Sequence, residues 1–309
     1  MSSKKILVLG SVNADHLVRV PRLPKPGETV AGKDYEVIPG GKGANQAVAC
    51  ARLGGQTAFI ACVGDDAFGT DMIQRFQADG IDTQAVCQIA DQTTGVALIC
   101  VDNQAENCIV IAPGANAKLT TSRVQAQHAL IADSDYLLMQ LETPLDGLLE
   151  AVEIAHNADV KVVLNPAPAK ALPDELLLRI DMITPNQTEA ELLTGIPVND
   201  VVGAAEAAGK LHAMGITTVV ITLSSQGVWI SEKGNGRLVE GYSVTPVDTT
   251  AAGDTFNGAM LVALAQGESL DKAANFANAA AALSVTRHGA QPSIPSREDV
   301  EQLVADNQR

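Results

Sequence analysis

The sequence predicts an α/β protein: a mostly parallel central sheet flanked by helices, with a small β-sheet set apart from it. Two observations carry this reading. Short apolar runs alternate with longer stretches of helical periodicity, a βαβα rhythm that gives an open sheet with right-handed crossovers. The rhythm breaks twice, at about 16–40 and 95–114, where strand-like pieces follow one another with no helix between them.

The elements follow in order. KILVLGSV (5–12), TAFIACVG (57–64), DYLLMQ (135–140), VKVVLNPA (160–167), DMITPN (181–186) and TTVVITLS (217–224) are almost continuous in apolar residues. That is the pattern of parallel strands covered on both faces. Helices are expected at 43–54, 68–79, 144–158, 187–194 and 200–214, several of them closed by glycine. Strands return over 227–248, followed by helices at 254–266, 270–286 and 297–306. The pieces HLVRV, ETVAGKDYEVIPG, GVALICVD and NCIVIAPG form the small sheet, whose apolar face needs a ligand or another chain to cover it.

Composition narrows the function. The chain has 309 residues and a formal charge of −15, which argues against nucleic acid and against an anionic membrane surface. The apolar share is 46% but aromatics are only 3%, so the core is aliphatic. The odd number of cysteines, with no CxxC pair, reads as reduced core thiols. No apolar run approaches a membrane span, and KKILVLG is too short for a signal peptide; a cytoplasmic protein is expected.

Ligands of open parallel sheets bind beyond the carboxyl ends of the strands. Polar residues stand there repeatedly: Asn13 and Asp15, Gln140 and Glu142, Asn165, Asn186 and Glu189, then Thr222, Ser224 and Ser225. Their recurrence points to one shared cleft. In IPGGKGANQAVACARLGG (38–55), a glycine turn at Gly40, Gly41 and Gly43 feeds an alanine-rich helix carrying Lys42 and Asn45. Close backbone approach to a ligand and a plain helix-start turn both fit these residues. GETVAGKD (27–34) is not a P-loop, because Asp34 replaces the Ser or Thr and no helix follows. GKGANQ likewise lacks the third glycine and the preceding strand of a dinucleotide site. In TPNQTEAELLTG (184–195), the spacing of Asn186 and Glu189 reads first as a capping box and second as a water-mediated Mg²⁺ site.

The most informative stretch is TTAAGDTFNGAM (249–260), where one acid, Asp254, stands among small neutral residues. The first-turn N–H groups of Ala252, Gly253 and Asp254 have no intrahelical acceptor, and the helix dipole favours negative charge there. An ordinary N-terminal helix aspartate is one reading. The other is phosphoryl transfer: small neighbours admit a phosphate to the backbone donors while Asp254 takes a hydroxyl proton.

GGKGANQAVACARLG and DTTAAGDTFNGA, with GSVNAD, PGETV, NPAPA, TPNQTEAELLTG and RHGAQPS, resemble the bacterial members of the ribokinase-like carbohydrate and nucleoside kinase family. The resemblance spans nearly the whole chain. It implies one kinase domain over 1–309, with a lid sheet from about 16–40 and 95–114 inserted in the α/β body. It implies ATP-dependent phosphorylation of D-ribose at the 5-hydroxyl, with Asp254 as general base and Ala252 and Gly253 as anion hole. It maps the sugar site onto Asn13, Asp15, Gly41, Lys42, Asn45 and Glu142, and nucleotide-binding positions onto Asn186, the loop Thr222–Gly227 and Asn278. Glu189 matches a motif linked to Mg²⁺. A monovalent-cation site, usually K⁺, maps onto Asp248, Thr250, Ser284, Arg287, Gly289 and Ser293. In the family, lids of two subunits pair in a homodimer, and Ala97, Ile99 and Ile111 fall where the lid meets the sugar. One departure stands out: the nucleotide loop reads TLSSQG (222–227), with Ser224 where the family has glycine, so a positive φ there would carry a cost. Rival readings are a kinase for another small sugar such as deoxyribose, a nucleoside kinase, and a sugar-binding regulator without catalysis. The retained Asp254 disfavours the last.

Overall fold

The alternating apolar runs resolve into two sheets in the computed structural model, which describes residues 4–104 and 106–307. In chain order the strands are β1 (Lys5–Leu9), β2 (Asn13–Arg19), β3 (Asp34–Gly40), β4 (Gln56–Gly64), β5 (Val86–Ile89), β6 (Gly95–Val101), β7 (Asn107–Ala112), β8 (Tyr136–Met139), β9 (Lys161–Leu164), β10 (Met182–Ile183), β11 (Thr218–Thr222), β12 (Gly227–Glu232) and β13 (Asn235–Glu240). The helices are α1 (Lys42–Arg52), α2 (Ala67–Ala78), α3 (Thr121–Gln125), α4 (His128–Ala132), α5 (Leu145–Asn157), α6 (Asp174–Leu177), α7 (Gln187–Thr194), α8 (Val201–Ala213), α9 (Ala252–Ala265), α10 (Leu270–Ser284) and α11 (Arg297–Asp306).

The large sheet has nine strands in the order β13-β12-β11-β10-β9-β8-β1-β4-β5. Pairing is parallel from β11 through to β5 and antiparallel only at β11–β12 and β12–β13. Side chains alternate across it. Ile6 and Val8 of β1 join a buried layer with residues of α1, α9 and α10, whereas Leu7 and Leu9 join the opposite layer with α5 and α8. Burial on both faces explains why β1, β4 and β8 read as unbroken apolar runs. Among the described residues no helix is long and apolar enough to cross a membrane.

The small sheet has four strands in the order β3-β2-β6-β7. Its first strand starts at Asn13, so Asn13 and Asp15 belong to this sheet rather than to the loop after β1. Residues 28–33 carry no strand, and β3 begins at Asp34. The strand region expected over 227–248 ends at Glu240. The sequence reading missed β5, α3, α4 and α6, each four or five residues long and too short to show a period. Cys50 and Cys62 are core thiols as expected, but Cys108 is exposed on β7, paired in register with Cys100 of β6.

Candidate active site

Helix α9 starts abruptly. Ala251 precedes it in the left-handed region, at φ 59°, and Thr255 N–H makes the first regular helix bond, to Ala251 O at 2.8 Å. The N–H groups of Gly253 and Asp254 find no acceptor among the described residues. A Cβ built on Gly253 would meet nothing within 4 Å. Packing therefore does not require glycine at 253, and the space before it is open. That space is a cavity of about 220 Å³ whose walls include Lys42, Asn186, Glu189, Thr222 and Asp254.

The carboxylate of Asp254 is buried, 6% exposed, and gripped at both oxygens. Asn45 Nδ2 donates to Oδ2 and Gln46 Nε2 to Oδ1, each at 2.9 Å. These contacts depend on how closely α1 crosses α9. A Cβ on Gly258 would lie 2.5 Å from Ala49 Cβ, so only glycine permits this approach. One turn towards the N-terminus of each helix, the same crossing delivers Asn45 to Asp254. Behind the carboxylate a buried polar chain continues. Gln46 Nε2 also donates to Asn165 Oδ1, Asn165 Nδ2 to Thr184 O, Thr184 Oγ1 to Asn257 Oδ1, and Asn257 Nδ2 to Gly253 O. Gln140 Nε2 donates to Gln46 Oε1 at 2.6 Å.

Charge is concentrated around Lys42. Burial pulls its ammonium towards neutrality, but Asp254, Glu142, Glu189 and Asp15 outweigh that and leave its pKa raised. Burial pushes the Asp254 carboxyl up; Lys42, Asn45 and Gln46 oppose the rise, and Glu142 adds to it. Asp15 is pushed up to about 7 by burial, then by repulsion from Glu142 and Asp254, against the pull of Lys42. Glu189 is raised by burial, opposed by its bond from Asn186 N–H and by Lys42.

The six residues expected to bind sugar fall around this centre. Gly41 has φ 92°, and a Cβ there would lie 2.8 Å from Asn13 N and Ser11 O, so the turn into α1 is open to glycine alone. Glu142 Oε2 accepts from Ser11 Oγ at 2.5 Å and from Lys42 N–H at 3.1 Å, joining the loop after β8 to the β1–β2 connection and to the start of α1. Asn116 Nδ2 donates to Asn13 Oδ1 at 2.8 Å. Asp15 sits opposite Ala97 on β6, which sits opposite Ile111 on β7, so the three share a face, and Ile99 follows two residues on.

The positions expected to bind nucleotide are partly assembled. Asn186 and Thr222 are bridged at the ends of β10 and β11 and both line the cavity. Ser224 has φ 53°, so the loop does require left-handed backbone where the chain carries serine. Asn278 on α10 is buried, with Nδ2 donating to the carbonyls of Val239 and Glu240, and it does not line the cavity. Asn186 and Glu189 form the capping box that their spacing indicated. Among the described residues no three His, Cys, Asp or Glu side chains converge as a metal site. In the expected monovalent-cation loop, Asp248 accepts from Thr250 N–H and from Gly289 N–H, at 2.9 Å each, tying residues 248–250 to the turn after α10. Ser284 and Ser293 are fully buried, with hydroxyls bonded to Ala281 O and Ala290 O, while Arg287 pairs with Asp299 on α11.

Sequence reasoning missed Ser11, Gln46, Asn116, Thr184 and Asn257 as site-building residues. Gln46 and Asn257 lie inside the two quoted signatures, and a polar residue on a helix face that is otherwise Ala, Gly and Val was the available signal.

The chain is similar to known carbohydrate kinases. The description "pfkB family carbohydrate kinase" matches residues 3–297. The chain is 53% identical to the ribokinase of Haemophilus influenzae over 296 residues, 96% of this chain and 97% of that protein. It is 33% identical to Arabidopsis thaliana ribokinase complexed with ribose and ATP, with a TM-score of 0.92 over 98% of this chain and 99% of that one. Ribokinase from Cryptococcus neoformans var. grubii in complex with ADP is 28% identical, with a TM-score of 0.87 over 98% and 99% of the two chains.

Proposed function

This chain belongs to the pfkB family of carbohydrate kinases, and from that premise we propose that it phosphorylates D-ribose at the 5-hydroxyl with ATP. The observation that carries the reading is the start of α9. A buried carboxylate, Asp254, adjoins two unpartnered backbone N–H groups that open onto an unfilled space. The relatives named ribokinase, one of them complexed with ribose and ATP, support the choice of substrates.

In this reading Asp254 takes the proton of the 5-hydroxyl as its oxygen attacks the γ-phosphorus. The bond from that phosphorus to the bridging oxygen breaks, ADP leaves with the electron pair, and ribose 5-phosphate remains. The Gly253 and Asp254 N–H groups hold the negative oxygens of the transferring group, and Ala252, whose N–H donates to Thr249 O, closes the turn beside them. Lys42 adds a positive charge at the same place. Its carboxylate neighbours keep it protonated. Asn13, Asp15, Lys42, Asn45, Glu142 and the Gly41 backbone hold the sugar hydroxyls. Asn186, Thr222, Ser224 and Gly227 serve the nucleotide, and Asn278 supports the end of β13 beside it.

ATP chemistry calls for a divalent cation. Mg²⁺ takes oxygen ligands and keeps its waters, which suits one half-occupied carboxylate, Glu189, and no cage of acids. Glu189 would hold it through water and the nucleotide phosphates would complete its shell. The loops joined by Asp248 offer carbonyls for a monovalent cation, K⁺ in our reading, with Thr250, Ser284, Arg287, Gly289 and Ser293 around it. The small sheet acts as a lid over the sugar and pairs with a second copy. Tyr35, Val37, Leu98 and Val110 on one of its faces, and Ile109 and Ile111 on the other, stand exposed in the single chain.

A panel of pentoses, hexoses and nucleosides assayed with ATP and Mg²⁺ tests the proposal, and D-ribose is expected to give the highest kcat/KM. A higher value for deoxyribose, another sugar or a nucleoside reassigns the substrate. Sugar binding without turnover on any of them replaces the kinase by a binding protein.

A further inference from the structure

We propose that Gln46 positions Asp254 for proton transfer, with Asn165 fixing which end of the Gln46 amide faces the carboxylate and Gln140 as a third anchor. The inference rests on Asp254 being the base. Gln46 is fully buried and does not line the cavity, so it acts through another group and not on substrate. Its amide has two N–H donors and one carbonyl, and all are committed. The donors go to Asp254 Oδ1 at 2.9 Å and Asn165 Oδ1 at 3.0 Å, and the carbonyl accepts from Gln140 at 2.6 Å. Turning the Gln46 amide over would set its oxygen against the oxygens of Asp254 and Asn165, losing both of those bonds. Asn165, whose own amide is oriented by donating Nδ2 to the Thr184 carbonyl, therefore dictates that Gln46 shows N–H to Asp254. The backbone makes room for this arrangement, since a Cβ on Gly10 would lie 2.1 Å from Gln140 Oε1.

The consequence is both geometric and electrostatic. Asn45 on Oδ2 and Gln46 on Oδ1 fix the carboxylate plane. The charges around Asp254 come from every neighbouring element. Lys42 of α1 favours its ionised form; Glu142 after β8, Asp15 of β2 and Glu189 of α7 oppose it. Burial opposes it most, and the two amides offset part of that. Removing the Gln46 donor removes a hydrogen bond to the charged form.

The test measures kcat against pH at saturating ribose and MgATP for the wild type, Gln46→Leu and Gln140→Leu, with Asp254→Asn alongside. Circular dichroism checks folding. In Gln46→Leu the acidic limb should move up by about one to two pH units, the worth of a hydrogen bond to a charged group. Turnover should fall roughly 10- to 100-fold below that limb, recover in part above it, and leave the ribose KM near its wild-type value. Gln140→Leu should shift the limb the same way by less, because the Gln46 amide loses one of its three anchors. A loss of equal size at every pH in Gln46→Leu overturns the proposal. Should Gln46→Leu fail to fold, an unmoved limb in Gln140→Leu overturns it instead. An Asp254→Asn enzyme that turns over normally sinks the base assignment itself. An inactive one beside an unmoved limb sinks only the role of Gln46.

Discussion

The α9 end of the cleft and the small sheet that faces it are built in opposite ways. At α9 the proposed base, Asp254, is buried, bonded at both oxygens and backed by a polar chain through Gln46, Asn165, Thr184 and Asn257. In the small sheet the residues of β7 are exposed from end to end, and large apolar side chains stand in solvent on both faces. Proton transfer needs a group held within a fraction of an ångström, which a close-packed interior supplies. The proposed lid role, covering a sugar, would need a surface that can move or find a partner, and an unburied sheet suits that. On the proposed reading the two regions divide precision from access.

The sharpest way to break that division is at the base. Asp254→Asn keeps the shape of the site and removes the proton acceptor, so turnover should fall by roughly 10²–10⁴-fold. Ribose binding by calorimetry should stay within a few-fold of wild type; near-normal turnover would end the comparison at its rigid side. The exposed side is tested by Val110→Glu on β7, which sets charge on an apolar face 59% open to solvent in the single chain. Light scattering should show a dimer becoming a monomer while the unfolding temperature of the monomer changes little. An unaltered dimer places the interface elsewhere.

Asp15 belongs to the small sheet but feels the charges of the α9 end, so it reports on their meeting. Its pKa of about 7 lies above that of an exposed aspartate, so the ligand-free folded protein binds the extra proton between the two values. The contribution of Asp15 to stability is accordingly highest below the unfolded pKa and declines as pH rises towards 7. Sugar hydroxyls want the ionised carboxylate, so ribose affinity should weaken as pH drops below 7, by up to about tenfold per pH unit. Titration calorimetry at several pH values checks this, and an affinity flat from pH 5 to 8 would refute it. The smallest effect is expected at Ser224, whose φ of 53° suits glycine. Ser224→Gly should stabilise the protein by at most about 1 kcal/mol and modestly lower the KM for ATP. A lower melting temperature would show that the serine hydroxyl matters more than the backbone.

Much of this was readable in the chain. The apolar strands announce themselves because both faces of the large sheet are covered, as Ile6 and Leu7 show by pointing into different layers. The capping box of Asn186 and Glu189 is a local spacing and was read as one. The glycine turn before α1 and the small residues around Asp254 were visible as composition. The network behind the base was not. Gln46 meets Asp254 across 208 positions and Thr184 meets Asn257 across 73, and no local pattern encodes such pairs. The antiparallel edge of the large sheet was hidden for a similar reason, since strand direction is set by pairing and not by the residues of one strand. Asn13 and Asp15 were assigned to a loop because the chain passes from one sheet to the other over only three residues, Gly10 to Val12.

The bond from Asn257 to the Gly253 carbonyl reaches further than its place at the back of α9 suggests. That carbonyl shares its amide plane with the N–H of Asp254. Drawing electron density towards the oxygen leaves the hydrogen on the opposite side more positive, so polarisation crosses the plane from the interior to the cavity. Thr184, just past the end of β10, thereby bears on the charge at the helix tip, which would meet an incoming anion in the proposed reaction, while the same relay, running the other way through Asn165, steadies Asp254. If α9 works as proposed, donor strength and acceptor alignment share one circuit, and a change along it should be felt at both.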